Sequence, residues 1–510
     1  MGRKTSEDLF QLIHSLKRTE KRYFKLFSQR HTIGEQNKYL ALFDAIARQK
    51  SYDEKALLRG HDLHPRLLPD QKNELYWLIL RSLSVYASGR TLESRLRFQL
   101  GCIDILQSKG LFAQCGKILS QVQKTAKHLE KRTLYLECLE RAKKLEFLAF
   151  NLKTSPKVLA GINSEIGRTL EQHRLDQEYH KLSEEMYIIL AEETFIRSEK
   201  NKKRSKKIIA HPLMRKAPGG SFTAQMNYHR THSLYCYSHA DFKGFYKHCK
   251  AIAAMIEAAP GLRAESPKMY VVALQNLLIA QKNLRLYDEL FETLHRLKDF
   301  ESGSPDAMAL VFAISHDIEL TIYIDTGQFE KGALLAGGIT KGLERHKGYV
   351  SLSHELLFYY NLAYCFIGCG RYKQALAWLN KVINHPDAPR ALPNAFHMSN
   401  LLLLLTHYKM GSTDLVDYRI RSMARSFSKK NALYTLESLL LAFLSKAIVA
   451  PGREELSKLQ LKLFRDLRRL HDNAEKRRAF SSFDFLGWAE SQATGKSMSE
   501  IVQKRISALV

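Results

Sequence analysis

A chain of 510 residues with 45% apolar content has ample material for a folded core, which excludes global disorder. Only 26 glycines and 12 prolines interrupt it, and alternating runs of Val, Ile and Thr are nearly absent, so the composition points to helix and away from sheet. Lys and Arg outnumber Asp and Glu by 79 to 52, a net charge of +27 that attracts polyanions at long range and equally suits solvated helix faces.

Residues 1–100 read as an N-terminal helical region. Asp8 to Phe27 sets Leu9, Leu12, Ile13, Leu16, Tyr23 and Phe27 on one face, with Lys17, Arg18, Lys21, Arg22 and Lys25 elsewhere. Leu40 to Ala47 and Glu54 to Leu58 form a compact pair ahead of Pro65 and Pro69. Short basic helices suit a helix-turn-helix DNA reader or a capping element; no recognition helix stands out, so a cap is expected.

Residues 101–209 read as long helices with one recognisable repeat unit, led by Phe112. Arg197 to Lys207 then carries seven basic residues against one acid, Glu199. This run is expected to be the exposed end of a helix beginning near Leu175. Within it Lys202, Lys203, Arg204, Lys206 and Lys207 are the candidate polyanion contacts, the plain alternative being a solvated helix end. Pro212, Pro218, Gly219 and Gly220 mark a loop over 210–221.

Residues 222–430 carry the repeat. Tyr359 to Phe366 and Tyr372 to Leu379 read as two amphipathic helices joined by a tight turn at Gly370. Tyr372 is followed at +3, +7 and +10 by Ala375, Leu379 and Val382, one helix face. A small residue at +3 lets the two helices approach closely, and the aromatic plugs the end of the pair. The same offsets follow Phe112, Phe242, Tyr287 and Phe329. Gly110, Gly327 and Gly370 stand two positions ahead of three of these aromatics. The last four recur at intervals of 45, 42 and 43 residues, and a further step lands on Leu415, just past Gly411. Regular spacing of this kind marks stacked two-helix units.

The segment 359–386 resembles a tetratricopeptide repeat (TPR): Leu362-Ala363 stand where the family has its Leu-Gly pair, Ala375 at the packed small position, and Pro386 near the closing proline. The likeness weakens over the rest of 222–430, and the period of about 43 exceeds the family's roughly 34 residues. The resemblance implies an all-α, right-handed α–α solenoid of TPR-like helix pairs with helical N- and C-terminal caps. It further implies a groove lined by the first helix of each unit. Asn276 and Asn361 share the register that holds an extended peptide backbone in the family, with Tyr360 and Tyr364 beside the latter; these four are the candidate partner contacts. Tyr360 and Tyr364 have an alternative role in packing against a neighbouring unit, and Ile318 fills the register between the two asparagines.

Residues 431–510 are expected to form a C-terminal helical cap. Glu454 to Leu470 carries an apolar stripe including Leu456, Leu459, Leu463, Leu467 and Leu470, and a helix near 498–509 closes the chain, shielding the outer face of the last unit.

Local chemical motifs are few. His229, His232, Cys236 and His239 share a helix face near His248 and Cys249, which allows a zinc site on geometry, but the register assigns His232, Cys236 and Cys249 to packing; no metal and no cofactor is expected. Thr494-Gly495-Lys496-Ser497 lacks the earlier glycine of a phosphate loop, whose place is taken by Glu490. No nucleophile elbow or His-Glu-x-x-His is present, and an enzyme is not expected. The greasiest runs, Leu401 to Leu405 and Leu439 to Phe443, are far short of a membrane span, and the N-terminus lacks an apolar leader, so a cytoplasmic protein without membrane contact is expected. Met1-Gly2-Arg3-Lys4-Thr5-Ser6 fits only a loose myristoylation pattern. The expected function is a non-catalytic scaffold that binds another protein, as a peptide or helix in its groove; the alternative is a basic regulatory surface for nucleic acid or another polyanion.

Overall fold

In the computed structural model, each aromatic that leads a repeat is the first residue of a helix: Phe112, Phe242, Tyr287, Phe329 and Tyr372. The structure describes residues 7–29, 38–60, 66–87, 89, 91–148, 156–193, 196, 198–428, 435–472, 480 and 482–508. Among these the regular structure is helical and no strand occurs.

In chain order the first helices are α1 (Asp8–Ser15), α2 (Arg18–Gln29), α3 (Lys38–Arg48), α4 (Glu54–Gly60), α5 (Leu68–Ala87), α6 (Leu92–Ser108), α7 (Phe112–His128), α8 (Arg132–Leu148) and α9 (Pro156–Glu192). Next come α10 (Glu199–Ile209), a 3-10 turn at Pro212–Met214, α11 (Phe222–Ser238), α12 (Phe242–Glu257), α13 (Pro260–Glu265), α14 (Pro267–Leu284), α15 (Tyr287–Lys298) and α16 (Pro305–Asp325). They are followed by α17 (Phe329–Leu334), α18 (Ala336–Arg345), α19 (Leu352–Gly368), α20 (Tyr372–Ile383), α21 (Ala388–Ala391), α22 (Pro393–Lys409) and α23 (Thr413–Ser428). The chain ends with α24 (Thr435–Ala447), α25 (Arg453–Asp472), α26 (Phe485–Thr494) and α27 (Met498–Ser507). It divides into two units, Met1–Lys181 with Gly219–Ala224, and Leu182–Pro218 with Gln225–Val510.

The turns before the leading residues share one construction. Gly110, Ala240, Arg285, Gly327, Gly370 and Gly411 all have positive φ, between 57° and 76°. In each case the next residue donates its amide to the carbonyl five positions back, as Arg371 does to Phe366 and Asp241 to Cys236. This left-handed cap satisfies carbonyls that a helix end leaves open. Glycine adopts it freely, whereas Ala240 and Arg285 hold it at a cost of about 1 kcal/mol each. The sixth turn leads into Thr413, so the helix after Gly411 starts two residues before Leu415, which is largely exposed.

At Gly332 the close approach expected at the +3 position within a helix pair is tightest against α19, and not against α16 of its own pair. A β-carbon there would lie 2.5 Å from the Cys365 sulfur, and one on Gly368 would lie 2.3 Å from Cγ of Phe329. Gly368→Ala therefore overpacks the α17–α19 contact and is expected to destabilise by about 1–3 kcal/mol. Gly337→Ala, on an open helix surface, is expected to raise stability by roughly 0.5–1 kcal/mol. Thermal unfolding of the two variants checks the opposite signs.

In unit one, two separate cores form, one around Ile13, Phe24, Phe43 and Ile79 and another around Ile103, Leu119, Val122 and Cys138. The apolar face read across Asp8 to Phe27 is shared by two helices, because Leu16 turns extended and Glu20 accepts from the amide of Lys17 to start α2. In unit two, helices from α12 to α27 pack mainly on their sequence neighbours: α14 against α12, α15 and α16, α19 against α16, α17, α20 and α22, α25 against α24 and α26, and α26 against α27. One continuous core runs from Phe312 to Val502. By length and composition α16 is apolar enough to cross a membrane, and half of its most apolar stretch is buried within the protein.

Candidate functional site

The candidate partner residues sit on α14 and α19. Asn276 is half-buried on α14. From Tyr360 to Gly368 every residue of α19 is buried, as befits a helix apolar on all sides. Asn361 donates from Nδ2 to Oδ1 of Asp317 at 3.1 Å, tying α19 to α16.

What covers Tyr360 and Tyr364 comes from far along the chain. The Tyr360 hydroxyl donates to the carbonyl of Ser482 at 2.7 Å, and the Asp484 amide donates to the Tyr364 hydroxyl at 2.9 Å. The rings of Phe483 and Tyr364 are 4.4 Å apart, and Tyr364 stacks on Phe329 from its other side. Burial pushes both phenol pKa values up, so the hydroxyls stay protonated and able to donate.

Residues 482–508 continue across the same set of helices. Trp488 of α26 lies edge-on to Phe443 of α24, and Lys409 at the end of α22 donates to Gln492 at 2.7 Å. Ser499 and Gln503 of α27 both donate to the carbonyl of Gly327, just past α16. Arg505 bridges Asp484 at 2.9 Å and Glu490 at 2.6 Å, joining α27 to α26. The final helix was legible in the sequence, but its docking against Gly327, and that of residues 482–484 against α19, were not.

Asp317 is the half-buried acid that Asn361 meets in this region. Burial raises its pKa to about 6, against the opposing pull of Lys282 and the Asn361 amide. A carboxyl with a folded pKa above its unfolded value binds more protons when folded, so it weakens the fold above pH 6 and is relieved as pH falls from about 6 toward 4. Asp317→Asn keeps an acceptor for Asn361 and removes the charge. It is expected to stabilise at pH 7.5, by about 1 kcal/mol once solvent screening of the half-exposed carboxylate is allowed for, a gain that vanishes near pH 4, measured by thermal unfolding across that range.

The basic residues lie on α10, which is a helix of its own and not the end of α9. The Ser198 hydroxyl caps it, accepting from the amide of Asn201, and Glu193 accepts from both the amide and the hydroxyl of Ser198. Asn201, Ser205 and Ile208 face inward, while Lys203, Lys206 and Lys207 are exposed and make no ion pair with a described residue. Lys202 pairs with Glu199, and Arg204 with Glu192 and Asn201. Arg197, also counted in the basic run, and the hexapeptide Met1–Ser6 lie outside the described residues.

The histidine–cysteine cluster does not converge. Among the described residues no set of three or more His, Cys, Asp or Glu is arranged to hold a metal ion. Nδ1 of His229 and Nδ1 of His248 are 2.9 Å apart, His232 stacks flat on His248 and meets the carbonyl of Met214, and His239 turns to the carbonyl of Tyr235. Burial lowers the pKa of His248 to about 4, helped by the two neighbouring rings. All seven cysteines are free thiols, and burial raises Cys236 to about 12 and Cys138 to about 11, as expected of packing residues and not of nucleophiles.

No protein-family model matches this chain, and no curated protein matches it either.

Proposed function

We propose that the protein is a non-catalytic interaction scaffold, a right-handed TPR-like α–α solenoid over 222–430 whose groove takes a peptide or helix of a partner protein in the cytoplasm. The shared left-handed turns, the helix-leading aromatics and the packing of each helix on its sequence neighbours support stacked two-helix units. The observation that carries the reading is at α19. There Tyr360 and Tyr364 bond through their hydroxyls to the main chain of residues 482–484, a mode that reads any segment of suitable conformation and not one particular side chain. Free, unreactive thiols fit a reducing compartment.

The polyanion reading keeps one observation in its favour, the exposed Lys203, Lys206 and Lys207, which make no ion pair with a described residue. A photo-crosslinking residue placed at Asn276, and separately at Lys203, in the full chain in its native host separates the two. Protein adducts from position 276 that survive nuclease and about 0.5 M salt support the scaffold, because counterion-driven binding falls steeply over that range. Nucleic-acid adducts from position 203, with no protein adduct from 276, would sink it.

A further inference from the structure

The segment 482–508 packs on its sequence neighbour, with α26 against α25 and α27 against α26. It also reaches far back along the chain, bonding to Tyr360, Tyr364 and Gly327 over separations of 120 to 176 residues. At α19 it is held through its main chain, by the carbonyl of Ser482 and the amide of Asp484, and at Gly327 through its side chains, with Ser499 and Gln503 donating to the Gly327 carbonyl. It is also braced within itself. Asp484 caps α26 by accepting from the amide of Gly487, and Arg505 clamps Asp484 and Glu490, so α26 and α27 hold together without help from α19. Its anchors are aromatic: Phe483, Phe485 and Trp488 are each no more than 1% exposed. Backbone-reading hydrogen bonds, a self-braced body and a few fully buried aromatic anchors are how a bound peptide is held.

We infer that the face formed by α16, α19 and α22 is a peptide site filled in cis by residues 482–508. The partner it fits is a segment of the same chemistry, two aromatic residues flanking an aspartate that opens a short helix, with a third aromatic one turn on, as in Phe483-Asp484-Phe485-Leu486-Gly487-Trp488. The aspartate matters because its carboxylate caps the helix and meets a cation from the second helix. This inference rests on the groove reading above and names the ligand of that groove.

A fluorescent peptide spanning 480–508, added to the full-length chain, tests it. A tethered ligand competes at an effective concentration near the millimolar range, so the wild type binds the free peptide weakly. The full-length Phe483→Ala/Phe485→Ala variant weakens the tethered copy and binds the peptide at least about tenfold more tightly. A peptide carrying Asp484→Lys binds that variant at least about tenfold more weakly than the unaltered peptide. Equal binding by variant and wild type, or none by either, overturns the inference. Should the variant fail to fold, hydrogen exchange on the wild type decides. Protection of 483–508 lost by an opening separate from that of α19 supports a cis ligand, whereas a single common exchange with α19 overturns it. Either negative result leaves the scaffold proposal to the crosslinking at Asn276, so the two failures are distinguishable.

Discussion

Trp488→Ala lowers stability by about 3–5 kcal/mol, the expected cost of deleting a large, fully enclosed aromatic whose surroundings cannot collapse into the space. Trp488 is 1% exposed and packs edge-on to Phe443 in the continuous core of unit two. No described group accepts from its buried Nε1, so the indole also carries an unsatisfied donor. Trp488→Phe keeps most of the apolar volume and discards that donor, and is expected to cost less than about 1.5 kcal/mol. Denaturant unfolding of the two variants checks the contrast. Fluorescence gives a second readout, because Trp77 is 59% exposed, and loss of the enclosed Trp488 shifts the emission of the folded protein to the red. In the hydrogen-exchange pattern the Ala variant first loses protection in 483–508, since that segment leans on the core through this ring.

Much of the helical frame was legible because a local rule marks it. A left-handed residue followed two positions later by an apolar helix start leaves a sequence trace when the left-handed residue is glycine, as at Gly110, Gly327 and Gly370. Ala240 and Arg285 take the same conformation with no such trace, and only the offsets after Phe242 and Tyr287 revealed those turns. The start of α10 had a readable signal in Ser198, a capping residue ahead of Glu199, which the density of lysines masked. The candidate site was legible by halves. Register alone put Tyr360, Asn361 and Tyr364 on one helix and drew attention to them. What meets them is set by contacts spanning 44 residues for Asp317 and 120 or more for Ser482 and Asp484, and no local periodicity encodes pairings at such separations. The apolar segment Phe483 to Trp488 reads in isolation as one more core stretch.

The buried polar network of unit one gives the second large effect. Asp176 is 3% exposed and is held by Arg132, whose Nε lies 3.2 Å from Oδ2, and by the Ser221 hydroxyl at 2.6 Å. Beside it Glu130, in the left-handed conformation that ends α7, accepts from the amides of Phe222 at 2.9 Å and Thr223 at 3.0 Å, satisfying open donors at the start of α11. Arg132 also reaches Glu130 at 3.6 Å, so a single guanidinium offsets two carboxylates. Arg132→Ala removes that compensation and leaves the Asp176 carboxyl with little but the Ser221 hydroxyl as a partner. The expected loss is about 3–5 kcal/mol, the range for breaking a buried ion pair by deleting one partner. The pair itself contributes far less than this, because taking both charges out of water costs nearly what their attraction returns. The Arg132→Ala/Asp176→Ala double variant is therefore expected to be more stable than Arg132→Ala alone, a coupling that denaturant titration of the full cycle would measure. Were the double variant instead to lose the sum of the two single losses, the network would act as independent surface contacts. The amides of residues 222 and 223 should keep their exchange protection in the double variant, since Glu130 still caps them.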